Sequence, residues 1–149
     1  MMTRKQLKWI IKEIFEQIHR IDESFDFKPK NLKAKFSVSG WQWRPILELI
    51  TKANAAFDLN IKDLDKWNYN NGNGLKTQKE CNQLANGLER LVGKAGDQPY
   101  NRPIRAFNVP KKVPGFIPKI AGEEPYQTDV GTIQKFIKFL RECNGFEIW

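Results

Sequence analysis

Apolar residues recur at helical spacing in four separate stretches of this chain. In residues 3–21 the stripe is Leu7, Ile10, Ile11, Ile14, Ile18 and Ile21, with Thr3 placed as N-cap. Trp9 falls on the opposite side, near Lys5, Lys8 and Lys12, so it is either a contact residue or covered by a later segment. The second stripe is Ile46, Leu47, Ile50, Ala53 and Phe57, and Pro45 suits the first turn of that helix, where its missing N–H is no loss. The third runs through Cys81, Leu84, Ala85, Leu88, Leu91 and Val92. It opens on the T-x-x-E capping pattern of Thr77 and Glu80 and stops at Gly93 and Gly96. The fourth is Val130, Ile133, Phe136, Ile137 and Leu140, started by Asp129 and ended by Asn144-Gly145.

The segments between these stripes are less regular. Residues 22–35 form a polar connector in which Lys28, Lys30, Lys33 and Lys35 alternate with Pro29, Leu32 and Ala34, and Pro29 blocks a helix. Phe36-Ser37-Val38 suits a short strand or an extended entry into the next turn. Residues 58–69 mix Leu59, Ile61 and Leu64 with acids and lysines, as in a short helical turn. Asn70-Asn71-Gly72-Asn73-Gly74 is a tight reversal, since Asn and Gly tolerate positive φ. Six of the eight prolines fall in residues 93–128, too dense for a helix. The apolar residues kept there predict an ordered, irregular arm lying on the helical body. The sequence closes on Phe146-Glu147-Ile148-Trp149, which is expected to pack as an edge strand or against the Trp-rich turn. The pattern predicts a mainly α protein: a single domain over 1–149 with about four helices, the arm at 93–128 and a minor two-stranded element.

Size and charge narrow the picture. A chain of 149 residues suffices for one buried core. No apolar run is long enough to span a bilayer, charges interrupt the N-terminal stretch that a signal peptide would need, and a cytoplasmic, reduced setting is expected for the two cysteines. The net charge of +8 favours anionic partners or serves solubility. The excess is local: residues 1–36 carry nine basic and five acidic side chains, and Arg102, Arg105, Lys111, Lys112 and Lys119 lie in a stretch, 99–119, without an acid.

Catalytic patterns are sparse. His19 is the single histidine, which cannot make a zinc site unless cysteines or carboxylates converge on it. Cys81 sits on an apolar stripe like a structural thiol, and a Cys–His nucleophilic pair would need the fold to bring its members together. Asp58, Asn60, Asp63 and Asp65 miss calcium-loop spacing because Lys62 occupies a ligand position. Gly72-Asn73-Gly74 lacks the flanks of a phosphate loop, although backbone amides near Thr77 could receive an anion. No cofactor and no metal are expected.

Two stretches are richer in recognition chemistry. Trp41-Gln42-Trp43-Arg44 offers indoles and a guanidinium, either for a core contact or as a platform for a base or partner side chain. Alternation along an extended segment would bury one Trp and expose the other. Trp67, Asn70, Asn71 and Asn73 form the second stretch. The motifs W-x-W-R-P (Trp41–Pro45), W-x-Y-N-x-G-x-G-L (Trp67–Leu75) and F-L-R-x-C-x-G-F-x-I (Phe139–Ile148) resemble those of a group of small, uncharacterised bacterial and phage proteins. The resemblance covers most of 36–92 and 130–149. It implies one compact domain, carries no activity with it, and makes the longer arm the place for a private function.

The expected function is a non-catalytic protein that restrains or neutralises a partner protein with an acidic face, in the manner of immunity proteins or phage-encoded inhibitors. The alternative is a binder of a nucleotide, signalling nucleotide or nucleic acid through the basic, Trp/Arg/Asn-rich face. A membrane partner is not expected.

Overall fold

The computed structural model describes residues 3–8, 24–107, 116 and 124–149. Residues 4–8 are helical, and Thr3 caps them reciprocally: its Oγ1 accepts from the Gln6 amide at 3.2 Å while its own amide donates to Gln6 Oε1 at 3.0 Å. Of the first predicted stripe only Leu7 is among the described residues, and it is 47% exposed instead of core-facing; Ile10, Ile11, Ile14, Ile18 and Ile21 lie outside them, as do Trp9, Lys12, His19, Lys111, Lys112 and Lys119.

Strand β1 (Ser24–Pro29) lies at the centre of a three-stranded antiparallel sheet. It pairs with β2 (Ser37–Ser39) on one side, and β5 (Phe146–Ile148) pairs along its other half. A second antiparallel pair joins β3 (Pro103–Arg105) to β4 (Gln127–Asp129). The protein therefore combines helices with small antiparallel sheets, more strand than a two-stranded minor element. The connector predicted over 22–35 contains the central strand. Ser24-Phe25-Asp26-Phe27-Lys28 alternates at period two, and Phe25 and Phe27 are buried while their neighbours face water. Pro29 blocks a helix, as expected, but ends the strand without preventing it.

Helix α1 (Gly40–Phe57) begins five residues earlier than Pro45 suggested. Ser39 is its N-cap, with its hydroxyl accepting from the Gln42 amide. Pro45 sits one turn further in, so the Trp41 carbonyl loses its helical donor. Asn54, late in α1, holds the following loop: its side chain accepts from the Ile61 amide at 2.9 Å and donates to the Ile61 carbonyl at 3.0 Å. That loop leads into a 3-10 turn, Leu64–Asn68, as the mixed pattern predicted.

Helices α2 (Gln78–Val92) and α3 (Val130–Glu142) start where their caps predict. Thr77 Oγ1 accepts from the Glu80 amide at 3.2 Å, and Asp129 Oδ1 accepts from the Thr132 amide at 2.7 Å. Gly93 ends α2 at φ 99°, and Asn144 turns left-handed after α3. Three of the predicted stripes meet in one core, where Ile46, Ile50, Leu84, Leu88, Ile133 and Leu140 are fully buried. Leu91 departs from its stripe and is exposed, because α2 turns it away from α1 and α3.

β5 is hydrogen-bonded on both edges. β1 pairs with it on one side, and the Asn–Gly loop pairs with it on the other. Gly72 donates to the Ile148 carbonyl at 2.8 Å, Ile148 donates to Asn73 at 2.8 Å, and Phe146 donates to Leu75 at 2.7 Å. This contact explains Gly74, where a Cβ would strike the Phe146 carbonyl oxygen. Gly145 is held in the same way: it has φ 106°, and a Cβ would lie 2.6 Å from the Lys76 carbonyl oxygen.

Leu88→Ala should destabilise the fold by roughly 2–4 kcal/mol in urea unfolding, since Leu88 is fully enclosed. A loss below about 0.5 kcal/mol would mean the α2 stripe is not a core face.

Candidate binding faces

The Trp-rich stretch divides into a buried half and a surface half. Trp43 is completely buried, against Phe25, Phe27 and Phe136 at ring-centroid distances of 5.9, 5.0 and 5.9 Å. Its indole N–H donates to the Trp67 carbonyl at 2.9 Å, which satisfies the one polar atom of the ring. Trp67 is buried in turn, with its ring 5.7 Å from Phe146. Both indoles are thus committed to the core and cannot form a platform. One buried and one accessible Trp was the expectation for 41–44. It arises from helix rotation between positions two apart, not from strand alternation.

Trp41 is half-buried and Arg44 is exposed, and both converge on Tyr126. The Trp41 ring lies 4.8 Å from Tyr126 and 4.9 Å from Phe116. The Arg44 guanidinium lies 4.7 Å from the centre of the Tyr126 ring. Tyr126 has φ 53°, an uncommon conformation for a bulky residue, and the aromatic and cationic contacts on both sides hold it there.

Further along the exposed side of α1, Phe107 from the arm is 61% exposed. Its amide donates to Glu48 at 2.7 Å, and the Lys52 ammonium lies 3.6 Å from the centre of its ring. Two hollows flank it. One, of about 720 Å³, is lined by Arg44, Leu47, Lys52 and Leu64 among others, and the second, of about 280 Å³, includes Leu49, Arg102 and Ile104. Residues 41, 44, 48 and 52 follow one helical face, so α1 itself aligns this ledge.

The described part of the arm contacts α1 through Phe107 and Glu48, but it is not irregular throughout, since β3 and most of β4 fall within it, and its charges are not all available. Arg105 is ion-paired with Glu124, an acid just beyond the acid-free stretch. Arg102 is exposed and donates to Gln98.

The Asn–Gly loop is occupied by β5. Asn71 and Asn73 bond to each other through their side chains, Asn70 is half-buried, and Gly72 backs onto the Trp149 ring. Glu80 accepts from the Thr77 hydroxyl at 2.9 Å, which sets a carboxylate where an anion at that helix start would sit.

The fold also brings together two residues that the sequence did not link. Cys81 and Cys143 are buried free thiols with their Sγ atoms 3.6 Å apart. Their shared hydrogen bond, and then burial, push the Cys81 thiol above its ordinary range. Among the described residues no three His, Cys, Asp or Glu side chains gather as metal ligands, and no helix is long and apolar enough to cross a membrane.

Comparison with known proteins gives no match to a family model, to a curated protein or to a solved structure.

Both thiols should resist a thiol reagent in the native protein and react together once urea unfolds it, in step with loss of helix. Rapid labelling of the folded protein would show that the 81/143 pair is accessible.

Proposed function

We propose that this is a non-catalytic binding protein that restrains a partner protein through the α1 ledge. The observation that carries this reading is Phe107, a largely exposed ring between two hollows and rimmed by Arg44, Lys52 and Arg102. An aromatic anchor with arginine beside it is the composition found where protein interfaces concentrate their binding energy. Arg44 stacked on Tyr126 is already ordered, so less side-chain entropy is lost on docking. The cationic rim and the net charge of +8 select a partner whose facing surface is acidic, and they speed encounter with it. Immunity-like or inhibitor-like restraint fits such a face, which would occlude the partner by binding alone. The motif resemblance to small bacterial and phage proteins remains part of this proposal and adds no activity to it.

A second reading, a binder of a nucleotide or nucleic acid, is favoured by a separate observation: a lysine-lined hollow on another part of the surface.

The test is affinity capture from the source cells, identification of the retained protein, and titration of the purified pair. Phe107→Asp with Arg44→Glu should weaken that pair by at least about a hundredfold, in line with hot-spot losses. Phe107→Asp alone should keep the thermal stability close to that of the parent, because that side chain is largely exposed, whereas Arg44→Glu also takes the cation off the Tyr126 ring and should lower it modestly. A retained protein that binds the double variant as tightly as the parent would overturn the assignment of the ledge.

A further inference from the structure

We propose that the hollow between residues 33–37 and α3 is a binding site for a nucleoside di- or triphosphate. This site is separate from the α1 ledge, so either can fail without the other. It is about 670 Å³ in volume, within the roughly 300–1,000 Å³ of small-molecule sites. Lys33, Lys35, Lys135 and Lys138 line it, and Glu142 is the one acid among its lining residues.

Two periodicities place the lysines. Residues 33–38 run Lys-Ala-Lys-Phe-Ser-Val, and their burial alternates. Ala34 and Val38 face the core, while Lys33, Lys35 and Ser37 lie outside. On α3, Thr132, Lys135 and Lys138 follow each other at intervals of three, on the side opposite the buried Ile133, Phe136, Ile137 and Leu140. The extended segment and the helix thus turn cationic rows toward one hollow.

No salt bridge joins any of these four lysines to an acid among the described residues. Four lysines around one depression concentrate positive charge there, and an anion would neutralise it. The charge suits a nucleoside di- or triphosphate, whose phosphates carry several negative charges and acceptor oxygens at neutral pH. Ser37, Gln42 and Thr132 add neutral donors beside the lysines.

The floor supplies the second half of the argument. Phe36 and Phe139 line the hollow together with the lysines. Phe36 is half-buried and fixed by Phe27, Phe136 and Phe139, at centroid distances of 5.1, 5.0 and 5.9 Å. A fixed, partly accessible ring beside cations matches a ligand that joins a flat base to a phosphate chain. A hollow of this size holds one nucleotide and not a run of them.

Calorimetric titration of the full chain at low salt tests the proposal, with ADP, tripolyphosphate and a short oligouridylate as probes. ADP should bind more tightly than tripolyphosphate, and its affinity should fall as salt rises. Lys35→Glu with Lys138→Glu should weaken ADP at least about tenfold, by replacing attraction with repulsion. Lys35→Gln with Lys138→Gln gives a milder loss and serves if the reversed variant does not fold. Phe36→Leu should weaken ADP and leave tripolyphosphate unchanged, and Lys62→Glu, at an exposed position away from both surfaces, should leave both unchanged. Three results would overturn the site: no ADP binding at millimolar concentration, ADP binding undiminished in both lysine variants, or binding of the oligouridylate alone. Equal affinity for ADP and tripolyphosphate would overturn the nucleotide assignment.

Discussion

The pairing of β5 on both of its edges is the constraint on which the rest of the molecule depends. A buried strand must satisfy its backbone donors and acceptors on both sides, and here the two sides come from distant parts of the chain. β1 supplies one and residues 72–75 supply the other. Trp67 then packs on Phe146 beneath the loop, and Trp43 donates to the Trp67 carbonyl, so α1 is tied to the same assembly. The Asn–Gly run is therefore spent on structure. Its glycines allow the close approach of another backbone, which is one of the physical reasons for glycine in a loop, and a ligand cradle is another.

The helices were legible because their stripes and caps agree, and agreement between local and tertiary signals is what makes a segment readable. Thr77, Asp129 and Asn144-Gly145 mark ends that the structure keeps. β1 was missed for a definite reason. Its period-two pattern is only a few residues long, lies among lysines, and ends in a proline that argues against helix without arguing for strand. The start of α1 was displaced because Pro45 favours a first turn but is tolerated a turn later, where Ser39 already provides the cap. The surface was harder. Local sequence named Lys33 and Lys35, but their grouping with Lys135 and Lys138 exists only in three dimensions. The signals that could have found it are the alternation at 33–38 and the three-residue spacing at 132–138. In the same way Arg105 looked unpaired until Glu124 was brought to it.

The charge of the molecule is thus divided between two kinds of surface. On the α1 side, cations sit against rings: Arg44 on Tyr126, Lys52 on Phe107. Such cations are held in a fixed direction by the ring beneath them, which suits shape-specific contact. In the hollow beside α3 the lysines stand without acidic partners among the described residues, and a compact, highly charged ligand benefits most from that arrangement. Under the two proposals above, one basic chain would present a protein-facing and an anion-facing surface with little overlap between their lining residues.

The double-sided strand also governs the order in which the molecule can assemble. β1 and β5 are separated by more than a hundred positions in the chain, and residues 72–75 lie between them. During synthesis β1 emerges before β5, and its partner for Phe27 and Lys28 does not exist until residue 148 has been made. Until then Phe25 and Phe27 must be sheltered by β2 and α1 or by a chaperone, and the sheet has an open edge. Pairing over such a span is slow because the loop entropy is lost before the contact is gained. The sheet is thus most prone to aggregate in the interval just before β5 is inserted.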